Sequence, residues 1–93
     1  MAHPKPSLDP KIADEPPLSD KLTDYDYTML TVYLRLLDAE TAGADWREAT
    51  RVLLKVDPDK EPARAKHRHE THLARAKWMT EVGYQHLLRE GMN

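Results

Sequence analysis

Ninety-three residues, 40% apolar and 32% charged, suffice for one small soluble core. Sixteen carboxylates against fourteen Lys and Arg give a formal charge of −2, too balanced to demand nucleic acid or membrane as a bulk partner. The absence of cysteine excludes a disulfide framework, a thiolate nucleophile and thiolate-bound zinc. No apolar run is long enough for a signal peptide or a bilayer span, so a cytoplasmic location is expected.

Five of the seven prolines (Pro4, Pro6, Pro10, Pro16, Pro17) fall in the first seventeen residues, where apolar residues follow neither a helical nor a strand period. Residues 1–22 therefore read as a flexible Pro-rich tail, disordered on its own, and residues 23–93 as a helical protein-interaction domain.

From Thr23 the pattern is helical. Tyr27, Leu30, Tyr33, Leu34, Leu37 and Thr41 recur on one stripe, with Met29 and Leu36 beside it, and predict a helix over about 24–42. Thr23 can cap it, Asp24 and Asp26 place negative charge at its positive end, and Gly43 can supply the left-handed residue that stops it. Asp45 and Glu48 have capping-box spacing and precede Ala49, Val52, Leu53 and Leu54, predicting a second helix that ends near Lys55. Residues 56–61 form a turn, because Pro58 disfavours helix at Asp57 and Pro62 suits the first position of the next helix. That third helix is expected to reach Glu81, roughly 30 Å at 1.5 Å per residue. Gly83 then breaks it, and Tyr84, Leu87 and Leu88 suggest a short terminal helix ended by Gly91. The fold class is all-α: a compact domain of three to four helices with a helix-turn-helix-like arrangement.

Charge is uneven along the chain. Residues 24–59 hold four basic against eight acidic side chains, whereas residues 60–93 hold seven against four. On the third helix Arg64, Arg68, His72 and Arg75 form a stripe beside the less polar Ala65, His69, Leu73, Ala76 and Thr80, so the basic stripe is expected outward and its neighbour inward. A basic second helix is the layout that reads a major groove, which makes Arg64, Arg68, His72 and Arg75 candidate nucleic-acid contacts. Against this, the turn has about six residues where three or four are usual, the first half is acidic, and no basic arm accompanies it. The alternative is a solvated face balanced by Glu61 and Glu70, and DNA binding by the chain alone is not expected.

The run His67-Arg68-His69-Glu70-Thr71-His72 misses the H-E-x-x-H zinc motif by one residue, lacks a third ligand and is flanked by cations, so no metal is expected. No nucleophile motif and no Gly-rich phosphate loop occurs among three glycines, and neither an enzyme, a cofactor nor a small-molecule substrate is expected. Of the two tryptophans, Trp46 shares a stripe with Ala49 and Leu53 and is assigned to the core. Trp78 lies off the inner stripe and either packs under the terminal helix or anchors an interface.

The segments Leu34-Arg35-Leu36-Leu37-Asp38-Ala39, Ala44-Asp45-Trp46-Arg47-Glu48-Ala49, His72-Leu73-Ala74-Arg75-Ala76-Lys77-Trp78-Met79 and Gly83-Tyr84-Gln85-His86-Leu87-Leu88 resemble a small α-proteobacterial family long classed as a domain of unknown function. The resemblance covers about residues 28–90, and its paired A-D-W-R-E and H-L-A-R-A-x-W-M signatures are fairly specific. Larger relatives in that family are DNA-binding activators, and stand-alone members include an antiactivator of mobile symbiosis-element excision and conjugative transfer. The resemblance implies as partners the LuxR-type quorum-sensing activator TraR and the activator FseA. On that expectation Asp24, Asp38, Asp45 and Glu48 form an acidic partner-binding face, with Trp78 as an apolar contact.

Overall fold

The computed structural model describes residues 5–6 and 10–83. Within them the chain is all-helical: α1 Asp24–Thr28, α2 Leu30–Thr41, α3 Trp46–Leu53 and α4 Pro62–Trp78, followed by a π-helical turn Met79–Gly83. The terminal helix expected from Tyr84 onward, and its packing on Trp78, lie outside the described residues.

The first long helix is expected unbroken, but it is divided at Met29 into α1 and α2. Thr23 caps α1 through a full capping box, its hydroxyl accepting from the Asp26 amide while the Asp26 carboxylate accepts from the Thr23 amide. The buried stripe differs from the expected one. Met29, Val32, Tyr33 and Leu36 face the core, whereas Leu34 is half exposed. Asp26 extends the buried spacing one turn earlier, so the inward stripe begins with a carboxylate, which hydrophobicity alone would assign to solvent.

Gly43 occupies the left-handed region at φ 75° between α2 and α3, as expected. Asp45 caps α3 by accepting from the Arg47 amide. Glu48 does not complete a box and pairs instead with Arg51. α3 ends at Leu53, and the reversal after it is made by Lys55 at φ 60°, a position glycine usually takes. Pro62 opens α4 at its first position, where the missing N–H costs nothing.

α4 packs on both α2 and α3, and α2 packs on α3. Met29, Val32, Tyr33, Leu36, Leu54, Ala76 and Met79 form the core between them. The third helix stops three residues short of the expected Glu81, where the π-helical turn takes over. Residues 10–22 carry no helix or strand, yet Pro10 and Pro16 are buried and Ile12 and Leu22 pack on the core. They run as a strap against α4. No helix among the described residues is long and apolar enough to cross a membrane.

Candidate functional site

The main correction concerns α4. The stripe of Arg68, His72 and Arg75, expected outward, is turned into the domain together with Ala65 and Ala76. These positions lie within one helical face, so spacing cannot separate them. What decides is that the strap and α1 supply carboxylates and carbonyls to the charged heads, while the aliphatic stems pack.

Arg75 is the most fully engaged. Its Nε donates to Oδ1 of Asp26 at 3.0 Å and its Nη2 to Oδ2 at 2.6 Å, a bidentate fork between two buried side chains. Nη1 donates to the Ser19 carbonyl at 2.6 Å and Nη2 also to that of Lys21 at 2.9 Å. The guanidinium sits over the Trp78 ring, 3.8 Å from its centroid. Asp26 further accepts from the Tyr33 hydroxyl at 3.0 Å and from the Thr23 amide and hydroxyl at 2.8 and 3.0 Å. Burial alone raises an acid's pKa. The Arg75 guanidinium, the Thr23 amide and the Tyr33 hydroxyl outweigh it and leave the Asp26 carboxyl below its usual value. Burial, and then the Asp26 charge, push the Tyr33 phenol well above its ordinary range.

His72 is fully buried. Its Nδ1 lies 2.8 Å from the Arg68 carbonyl and must donate to it, so in the neutral ring Nε2 accepts from the Tyr25 hydroxyl at 2.7 Å. That hydroxyl in turn accepts from the Ala13 amide of the strap at 3.1 Å. Burial lowers the His72 pKa.

Arg68 donates through Nη1 to the Leu54 carbonyl at 2.8 Å, placing a cation on an orphan carbonyl at the end of α3. Its Nη2 reaches Asp14 Oδ1 at 2.6 Å, and Arg64 Nε reaches the same oxygen at 2.7 Å. Its buried Nε has no partner among the described residues. The Arg68 and Arg64 hydrogen bonds hold the Asp14 carboxyl at about 2. The next strap residue, Glu15, meets His67 at 3.1 Å. Of the candidate nucleic-acid residues only Arg64 is exposed, and it is shared between Asp14 and Glu61.

The candidate acidic residues are all exposed, but they do not form one patch. Asp38, Asp45 and Glu48 flank the turn between α2 and α3. Asp24 sits at the start of α1, beyond the far end of α2. Trp78 is half-buried and is spent on Arg75. Trp46, assigned to the core, is also only half-buried. Its ring lies 5.7 Å from that of His69, and it lines a surface hollow with His69, Leu73 and Ala74. Burial lowers the His69 pKa. The three histidines of the apparent metal run thus diverge to the strap, to Trp46 and to the interior. No group of three or more His, Cys, Asp or Glu able to hold a metal occurs among the described residues.

Sequence reasoning missed Asp14, Tyr25 and the buried role of Asp26. Asp26 was detectable, since it keeps the spacing of Met29, Tyr33 and Leu36. Asp14 carries no local signal, because its partners lie fifty and fifty-four residues away.

No curated protein matches the chain. A family model described as RovC_DNA-bd, "T6SS, Transcription factor, DNA binding domain", matches residues 5–89, a span that takes in the strap as well as the helices. The chain belongs to this family of transcription-factor DNA-binding domains.

Proposed function

We propose that the chain is a transcription regulator that acts on other regulators: an antiactivator that binds a LuxR-type TraR-like activator and an FseA-like activator and thereby represses excision and conjugative transfer of a mobile symbiosis element. The reading draws on the resemblance to the antiactivator QseM. One observation supports it above the rest: Arg68, His72 and Arg75, the residues that would read DNA from α4, are committed to the interior, while Asp38, Asp45 and Glu48 stand exposed around the α2–α3 turn. A domain with this distribution steers toward a basic surface, such as the DNA-reading face of an activator.

The test is a titration of labelled protein with purified activator, and separately with promoter DNA. The reading expects activator binding that weakens with salt and perturbs residues around Asp38, Asp45 and Glu48. Binding insensitive to salt and to neutralising Asp38 and Asp45 would remove the electrostatic mechanism. Tight, sequence-selective DNA binding with no activator bound would remove the antiactivator.

A second reading, a DNA-binding transcriptional regulator, is favoured by the family match. It expects promoter affinity that falls steeply with salt.

A further inference from the structure

The strap places two successive carboxylates on the basic beginning of α4. Asp14 gathers two guanidiniums on one oxygen, from Arg64 at 2.7 Å and Arg68 at 2.6 Å, and its carbonyl meets the Thr71 hydroxyl at 3.4 Å. Glu15 meets His67 at 3.1 Å, with both side chains more than half exposed. One carboxylate does not exhaust the donors gathered here, since the buried Arg68 Nε finds no acceptor among the described residues. Convergent guanidinium donors on a rigid helix are the chemistry that holds a phosphodiester backbone. Ala13, Asp14 and Glu15 are exposed and carry no helix or strand, so the two carboxylates can swing off α4 without breaking a helix or unseating the buried Pro10 and Pro16.

We propose that Asp14 and Glu15 stand in for nucleic-acid phosphate. Displacing them uncovers a site for the backbone of duplex DNA made of Arg64, His67 and the Nη2 edge of Arg68. Duplex DNA is favoured over an acidic polypeptide because the chain belongs to a family of DNA-binding domains, the second reading, on which this proposal rests. This goes beyond the antiactivator reading and does not depend on it: the site is latent while the strap is seated, whichever protein the acidic residues meet.

The test is fluorescence anisotropy of a labelled duplex of arbitrary sequence and about three helical turns at low salt, titrated with the full chain. Asp14→Asn with Glu15→Gln is expected to bind about tenfold tighter than the parent, with a steeper loss on adding salt. Adding Arg64→Gln and His67→Gln is expected to return it to the parent level. Asp24→Asn, which removes a carboxylate away from α4, is expected to gain nothing. Glu15→Gln alone, exposed and therefore safe for folding, is expected to gain about twofold, and it decides the matter if the double variant does not fold. An unchanged affinity in a folded double variant, a gain that survives the α4 substitutions, or an equal gain from Asp24→Asn would overturn the proposal. Equal gain in binding to a labelled polyglutamate chain would overturn duplex DNA in favour of an acidic polypeptide.

Discussion

Arg75 and Asp26 lie forty-nine residues apart in the sequence and meet inside the domain as a two-bond fork, Nε to Oδ1 and Nη2 to Oδ2. Both side chains are buried, so removing either strands a charge in a low-dielectric interior. Asp26→Ala or Arg75→Ala is expected to cost about 3–5 kcal/mol in urea unfolding, a large share of the stability of a small domain. Replacing both together, Asp26→Leu with Arg75→Met, is expected to cost much less than the sum. Tyr33→Phe leaves the fork intact and removes one donor, for about 1 kcal/mol. If Asp26→Ala proves nearly neutral, the pair is not the clamp described above.

Acid should weaken the domain in two stages. His72 has a lowered folded pKa, because burial disfavours its charged form. Its contribution is fully present above the ordinary value of 6.5 and is lost as pH falls, because the unfolded chain takes the proton more readily. Urea midpoints measured at about pH 7.5 and about pH 5.5 should therefore fall in the parent and fall less in His72→Phe. Half-buried His69 adds to the same limb.

The second stage belongs to the carboxylates. Asp14 and Asp26 both have folded values below the ordinary 3.8, so their stabilisation is present above that value and disappears as pH drops through the folded values. For Asp14 the window runs from 3.8 down to about 2. Contact between the strap and α4, followed by the Arg64 Nε–H signal in NMR, is expected to persist at pH 3.8 and to be lost toward the lower limit. Its loss well above pH 3.8 would contradict the paired geometry.

Gly43 stands at φ 75° with open space where a Cβ would be. Gly43→Ala meets no clash, yet it must hold a left-handed backbone, and a cost of about 1 kcal/mol is expected in thermal or urea unfolding. Stabilisation by this substitution would mean that the turn relaxes to another conformation.

Asp45→Asn separates charge from capping, since Asn caps as well as Asp. On the proposed antiactivator reading, Asp38→Asn with Asp45→Asn is expected to leave stability nearly unchanged while slowing association with a TraR-like activator, an effect that fades at high salt. Stopped-flow binding at two ionic strengths checks this.

Helix positions were largely legible in the sequence, because caps and breakers act within a few residues: Thr23, Gly43, Asp45 and Pro62 all stand where local chemistry placed them. Facing was less legible. Arg68, His72 and Arg75 share one face with Ala65 and Ala76, and no count of apolar residues could reveal that Asp14, Asp26 and the Ser19 carbonyl wait to receive them. The Leu34 assignment failed for the same reason, since the true stripe starts at a carboxylate. Lys55 in a left-handed conformation broke the rule that glycine marks such a turn, and hid the way α3 ends.

The carbonyls of Ser19 and Lys21 and the carboxylate of Asp14 complete the surroundings of Arg75 and Arg68. A fragment cut to begin at Thr23 is therefore missing part of its own interior. It would carry Arg75 and Arg68 short of some of their acceptors and a Trp78 uncovered on one side, and is expected to melt gradually where the whole chain melts sharply. On that expectation the cooperative unit takes in residues 10–22, however little their sequence looks like structure.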